Sequence, residues 1–135
     1  MMAATDRAGG ARIRPIALCI AGNVLFGTGL FFHAFLYNFY LEALGQSELV
    51  MGYAVAALTA GGLAMLLPAG RLADRWSPRS VMVAAGVCAA IGLALGAWAA
   101  TPWVIYGVAA LAGAGAAAWR VAVPPVLMRI TSPEM

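Results

Sequence analysis

Residues 68–80 read PAGRLADRWSPRS, and this short charged segment separates two long apolar runs of the chain. Its charged side chains are Arg71, Asp74, Arg75 and Arg79. Short loops that are rich in Arg stay on the cytoplasmic side of a membrane. The segment therefore predicts a cytoplasmic hairpin, from which the rest of the chain can be oriented.

The composition indicates an integral membrane protein. Of the 135 residues, 64% are hydrophobic and 10% are charged, whereas a soluble domain carries roughly 25% charged residues. Four apolar stretches are long enough, at about 20 residues each, to cross the ~30 Å hydrocarbon core. The period-two alternation of a membrane barrel is absent from the sequence. The expected fold class is all-α, a polytopic membrane protein with four transmembrane helices.

The predicted organisation is a tail, four helices and the start of a loop. The tail covers residues 1–12, the helical part residues 13–130 and the loop residues 131–135. The four helices are expected at about 13–40, 47–69, 78–100 and 102–128. Ser47, Ser77-Pro78 and Thr101-Pro102 predict the starts of the last three, as N-caps followed in two cases by a first-turn proline. Pro124-Pro125 predicts a kink or an end in the fourth.

The charges give one consistent topology. The connection from Glu42 to Glu48 is acidic and is expected outside, whereas the segment 71–79 is expected inside. The remaining basic residues near chain ends, also expected inside, are Arg7, Arg12, Arg14 and Arg129. Four crossings then return both ends to the cytoplasm, in a multi-pass protein of the cell membrane. The net charge of +3 is read as a topology signal, so the expected partner is the lipid bilayer and not nucleic acid.

The first span has a polar face. At about 100° per residue, Asn23, His33, Tyr37 and Asn38 share an arc of about 140°, and Thr28 lies off it. Polar groups in a span avoid lipid, so these four are candidate cavity-lining residues. His33 has two readings, a proton-coupling group and a histidine hydrogen-bonded within the bundle. No carboxylate lies inside the spans, which argues against a self-contained proton antiporter.

Arg120 is the other ionisable group inside a span, about 18 residues into the fourth helix. Burial in lipid would cost about 3 kcal/mol on insertion scales, so the side chain is expected to snorkel, to pair or to line the cavity. Its depth in the cytoplasmic third favours snorkelling. We therefore include it as a fifth cavity-lining candidate with that alternative open.

Small residues predict two sites of close helix packing. In the second span they recur every four positions, at Gly52, Ala56, Ala60 and Ala64. In the third span Gly92 and Gly96 form a GxxxG pattern, which we interpret as packing within the chain and not as a dimer contact.

Residues 70–79, GRLADRWSPR, resemble the signature segment between the second and third helices of the major facilitator superfamily, Gly-x-Leu-Ala-Asp-Arg-x-Gly-Arg-Arg. The positions that match in register are Gly70, Leu72, Ala73, Asp74, Arg75 and Arg79. Ser77 and Pro78 replace the second glycine and the first of the two following bases. The resemblance extends from about Arg14 to Glu134 and includes Gly113-x-Gly115 in the fourth span. Members of this family with an antiporter motif have an Arg where this chain has Ala109, so Arg120 does not inherit that role.

The resemblance implies a secondary active transporter that moves a small solute by alternating access. Its signature residues Asp74 and Arg75, together with Gly70, Leu72 and Arg79, would act in gating; a purely topological role is the alternative. Family members have twelve spans in two halves, so the chain is expected to be an amino-terminal fragment. Its expected partners are the missing carboxy-terminal helices and an unknown small-molecule substrate.

Two other functions stay open. One is a small homodimeric exporter of four helices, although such exporters use a glutamate that the first span lacks. The other is a non-transporting interaction subunit. An enzyme is not expected, because no catalytic constellation, metal-ligand cluster or phosphate-binding loop is present. No cofactor is expected, and Cys19 and Cys88 are read as core residues.

Overall fold

The computed structural model describes residues 3–131, with the backbone alone for residues 3–13. Over this range the chain forms α1 (Ala3–Ala43), α2 (Glu48–Arg75), α3 (Pro78–Gly96) and α4 (Pro102–Thr131). Each helix contains a stretch long and apolar enough to cross a membrane. The expected all-α fold with four transmembrane helices is therefore confirmed. Residues 1–2 and 132–135, and the side chains of Arg7 and Arg12, lie outside the described residues.

Two of the predicted helix starts are confirmed by capping geometry. The hydroxyl of Ser47 accepts from the backbone N–H of Val50 at 3.4 Å, and that of Ser77 accepts from Ser80 at 3.2 Å. Pro78 is the first residue of α3, where a missing N–H has no consequence. These caps satisfy N–H groups that the first helical turn leaves without a partner.

Three of the helices extend further than the sequence predicted, whereas α3 ends at Gly96, before the expected residue 100. α1 begins at Ala3, within the segment expected as a tail, and α2 continues through Pro68 to Arg75. α4 runs through Pro124 and Pro125 to Thr131, where an earlier end or a kink was expected. Interior prolines are tolerated in membrane helices because neighbouring groups and local adjustment satisfy the freed carbonyls. Arg75 in the last turn of α2 also interacts favourably with the helix dipole.

α4 is the central helix and packs closely against both α2 and α3. A Cβ atom on Gly113 would overlap the backbone carbonyl of Leu58 in α2. A Cβ atom on Gly115 would lie 2.6 Å from the backbone nitrogen of Ala89 and 2.9 Å from the oxygen of Ala85, both in α3. Two helical positions are separated by about 200°, so the two glycines face different neighbours. Glycine at both positions is what allows these backbones to approach.

The partner helices contribute small residues of their own to these contacts. A Cβ atom on Gly61 would overlap the backbone of Ala110, and one on Gly92 would lie 2.9 Å from the nitrogen of Ala112. The predicted packing of the GxxxG pattern within the chain is thus confirmed at Gly92.

The predicted packing stripe of α2 is wrong. Gly52 has no atom within 4 Å of an added Cβ, and Ala56, Ala60 and Ala64 are exposed. The contact with α4 uses the neighbouring positions Leu58 and Gly61 instead. Small residues occur on several faces of α2, so their spacing alone could not identify the face that meets α4.

Tryptophans at both ends of the bundle fit the membrane interfaces. Trp98 and Trp103 flank the α3–α4 turn and are 79% and 83% exposed, and Trp76 follows α2 at the opposite end with 58% exposure. Indole rings concentrate at the headgroup level, where an apolar ring and a polar N–H are both accommodated. Their separation along the helix axes is consistent with a bundle that crosses the bilayer.

We predict that Gly113→Ala destabilises the bundle by about 1–3 kcal/mol, the usual range for overpacking, because the new methyl group must displace the α2 backbone. The measurement is the thermal unfolding midpoint of the purified protein in detergent. Gly107→Ala is the matched control on the same helix, since nothing lies within 4 Å of its added Cβ. Equal midpoints for the two variants would contradict the close-packing account.

Candidate functional site

A groove runs along the bundle between α1, α2 and α4. We call the end with the α1–α2 and α3–α4 turns the upper end and the end with the α2–α3 connection the lower end. The groove contains an upper cavity of about 60 Å³ and a lower cavity of about 490 Å³. Both are lined by Ala34, Leu58 and Ala112. The two cavities are therefore adjacent along the groove.

The upper cavity is lined by three polar side chains of α1, His33, Tyr37 and Asn38. The rings of His33 and Tyr37 stack with their centroids 5.0 Å apart. The hydroxyl of Tyr37 is buried and has no hydrogen-bond partner among the described residues. Buried hydroxyls almost always have a partner, so this group is available to a water molecule or a bound solute.

The lower cavity is organised by one side chain of α4, Trp119. Its indole N–H donates to Oδ1 of Asn23 at 3.1 Å, and its ring stacks on Phe26 with centroids 4.2 Å apart. On the opposite side, a Cβ added to Gly86 of α3 would lie 3.1 Å from the Trp119 ring. The ring is therefore held between α1 and α3, and its hydrogen bond fixes the orientation of Asn23.

Arg120 follows Trp119 and lines the lower cavity. It also lines a side cavity of about 260 Å³ between α2 and α4, together with Thr59. The hydroxyl of Thr59 donates to the carbonyl of Val55 at 2.9 Å, as is usual for a helical threonine. Arg120 is thus the charged group at the junction of two cavities.

The upper end of α1 has its own contacts with the bundle, separate from those of Trp119. Leu41 is fully buried with Ala54, Ala99 and Ile105, and the hydroxyl of Tyr40 donates to the carbonyl of Ala97 at 2.7 Å. Together with the Trp119 contacts, this gives α1 two attachments to the bundle. The cavities lie along the part of α1 between and beside them.

The structure brings the five sequence-predicted cavity candidates to these linked cavities. The upper cavity has His33, Tyr37 and Asn38, and the lower cavity has Asn23 and Arg120. Sequence reasoning missed Trp119 and Phe26. A tryptophan deep in a span, next to an arginine, was the available signal, because a buried indole N–H needs an acceptor.

The signature segment lies at the lower end and is mostly helical. Gly70, Leu72, Asp74 and Arg75 belong to the last turns of α2, and Arg79 belongs to the first turn of α3. The expected loop therefore reduces to Trp76 and Ser77. The cause is local, since arginine, leucine and alanine are good helix formers and the Ser77 cap starts α3 at once. Asp74, Arg75 and Arg79 are all exposed.

Within residues 14–131, no group of three or more His, Cys, Asp or Glu residues that could hold a metal ion is found. Cys19 and Cys88 are free thiols on different helices.

We predict that Trp119→Phe loosens α1, because it removes the N–H donor to Asn23 and keeps an aromatic ring against Phe26. The expected loss is about 1 kcal/mol of unfolding free energy. Thermal unfolding in detergent measures it, with the highly exposed Trp103→Phe as the control. Adding Asn23→Ala should have little further effect, since both changes remove the same bond. Fully additive effects would contradict this contact.

Comparison with known proteins identifies the family. The sequence model of the Major Facilitator Superfamily matches residues 18–135. Neither a search of curated proteins nor a search of solved structures found a significant match. The matched region includes the signature segment 70–79 and the five cavity-lining candidates. The chain is a multi-pass membrane protein that belongs to the Major Facilitator Superfamily, a family of membrane transporters.

Proposed function

We propose that this protein takes part in the secondary active transport of a small solute by alternating access, and that the groove forms a wall of the solute path. The observation that carries the proposal is the position of the polar side chains. His33, Tyr37 and Asn38 line the upper cavity, and Asn23 and Arg120 line the lower one. Polar groups within spans typically face substrate or ion pathways, because contact with lipid is unfavourable.

The packing indicates that α4 is held more tightly than α1. α4 is held against α2 and α3 by contacts at Gly113 and Gly115 that leave no room for a side chain. α1 is attached by Trp119 near its middle, at Asn23 and Phe26, and by Leu41 and Tyr40 at its upper end. A small change in the angle of α1 would therefore alter the groove and leave the α2–α3–α4 contacts intact. In this proposal, further helices of the full-length transporter close the open side of the groove.

The signature segment is proposed to act as a latch at the lower end. Asp74 and Arg75 lie in the last turn of α2, exposed and close to the α2–α3 connection. A contact from Asp74 to another element that forms in only one of two conformations shifts the equilibrium between them. Because α2 is helical up to Arg75, movement of the helix is transmitted directly to these charges.

The proposed orientation places both chain ends and the lower end of the bundle in the cytoplasm of a cell. It rests on the Arg residues of the lower end and on the acidic α1–α2 connection. Thiol labelling tests it in a variant without Cys19 and Cys88. Trp76→Cys should react with an impermeant reagent only from the cytoplasmic side and Leu44→Cys only from the opposite side; the reverse pattern would overturn the orientation.

Asp74→Asn in the full-length transporter should lower the initial rate of solute uptake by about tenfold, within the usual range of a coupling between conformations. The measurement is uptake into proteoliposomes of a solute found by screening labelled compounds. Glu48→Gln, which changes an exposed acid at the other end of α2, is the matched control and should keep the original rate.

Both variants must insert in equal amounts for this comparison to hold. Uptake by Asp74→Asn at the rate of the unsubstituted protein would remove the latch. An absence of uptake for every solute in the screen, under both proton and sodium gradients, would count against transport itself.

A further inference from the structure

The polar groups of the lower cavity share one chemical character. Trp119 has only a donor N–H, so its bond at 3.1 Å must be accepted by the oxygen of the Asn23 amide. The NH₂ group of Asn23 is therefore oriented away from Trp119 and free to donate to a ligand, while the oxygen keeps one lone pair. Arg120 has donors only. The two side chains that bring polar groups to this cavity therefore both offer N–H to an incoming molecule.

The charged groups that line the lower and side cavities are likewise of one sign, positive. Among the residues that line the lower and side cavities, Arg120 alone is charged. Within residues 14–131 the acidic residues are Glu42, Glu48 and Asp74, and they lie at the ends of α1 and α2. No carboxylate of the described spans is thus placed at the depth of Arg120. A guanidinium group within a low-dielectric region favours an anionic partner more strongly than it would in water.

Arg120 lies well away from the lower end along the helix axis, and its side chain is exposed in the four-helix bundle. Its neighbour Trp119 contacts Gly86, which lies eight residues after Pro78 at the lower start of α3. At about 1.5 Å per residue, the backbone of this region lies about 12 Å above the lower end. The side cavity and the lower cavity both reach Arg120, so its exposed side chain borders the open groove.

The remaining wall of the lower cavity is apolar and aromatic. Phe26, Phe31 and Trp119 line it, together with Leu30 and Leu58. Its volume of about 490 Å³ falls within the range of about 300–1,000 Å³ that is usual for small-molecule sites. Such a wall accommodates the hydrocarbon part of a ligand, whereas it offers nothing to a fully hydrated inorganic ion.

We propose that the lower cavity binds a small organic monoanion, with its carboxylate held by Arg120 and Asn23 and its apolar body against Phe26, Phe31 and Trp119. This inference rests on the proposed function, because it assigns a substrate class to the same groove. One guanidinium neutralises one negative charge, so a monocarboxylate suits the site better than a doubly charged phosphate ester. The planar fork of Arg120 matches a carboxylate in a bidentate arrangement.

The test uses matched acids and amides with the purified full-length protein in detergent. The probes are benzoate with benzamide, phenylacetate with phenylacetamide, and hexanoate with hexanamide. Thermal unfolding midpoints at increasing concentrations give the apparent affinity. At least one acid should raise the midpoint well above the effect of its own amide, because the two differ mainly in charge.

Substitutions then test whether Arg120 is the group that binds the carboxylate. Arg120→Gln should weaken binding of that acid at least about tenfold, the effect of losing a hydrogen bond to a charged group. Arg120→Lys keeps a cation that can reach the interface but loses the planar guanidinium group, so it should weaken binding by a smaller factor than Arg120→Gln does. Because the charge is retained, this variant also guards against loss of binding through misfolding. Arg129→Gln, in the last turn of α4, is the control and should bind as the unsubstituted protein does.

Three results would overturn the inference. The first is a set of amides that stabilise the protein as well as their acids. The second is Arg120→Gln and Arg120→Lys variants that bind the acid with unchanged affinity. The third is no shift with any acid, which would leave Arg120 as an anchor to the lipid interface.

The experiments distinguish a failure of the anion-binding proposal from a failure of the transport proposal. Uptake of a neutral or cationic solute into proteoliposomes, without discrimination between acids and amides, would retain transport and reject the anion. Binding of an acid through Arg120 without uptake of any solute would retain the anion site and reject transport.

Discussion

The four helices are held together mainly by the close approach of the α4 backbone to α2 and α3. In a bilayer, apolar side chains gain little by leaving lipid for protein, so helices associate mainly through tight packing and hydrogen bonds. Gly113 and Gly115 provide such packing on two faces of one helix, where an added Cβ would meet the backbone of α2 or of α3. Both contacts depend on glycine at α4.

This packing determines where the polar groups lie. Because α4 is fixed on two sides, its third side, with Ala112, Ala116 and Trp119, faces the groove. Trp119 then attaches α1 through Asn23 and Phe26. The α4 residues Ala112 and Ala116 are small and fill little of the groove, whereas the α1 side chains across the groove are larger. The cavities are a consequence of this mismatch in side-chain size.

The polar face of α1 could be located from the sequence because few polar side chains occur in the spans. Asn23, His33, Tyr37 and Asn38 stand out against apolar neighbours, and a 3.6-residue period is enough to place them on one face. The helix starts at Ser47 and Ser77 could also be predicted, since capping depends on local sequence.

Other features depend on which helices meet, and the sequence of one helix does not contain that information. The stripe Gly52, Ala56, Ala60 and Ala64 has ideal spacing for packing, yet α4 meets Leu58 and Gly61 on another face. The pairing of Asn23 with Trp119 spans 96 positions and could not be read from local spacing. The helical form of the signature segment was missed because its charges were interpreted as a loop, although Arg71 and Arg75 also suit the C-terminal end of a helix.

If the groove forms part of a solute path, it is a water-accessible space and not a lipid-filled crevice. The reaction of single cysteines with a charged, water-soluble thiol reagent distinguishes the two, in a variant without Cys19 and Cys88. Ala34→Cys lies on the wall shared by both cavities, and Val83→Cys lies on α3, where Val83 is 61% exposed. We expect Ala34→Cys to react in the membrane and Val83→Cys to be protected by lipid. Protection of both positions, or equal reaction at both, would rule out a water-accessible groove.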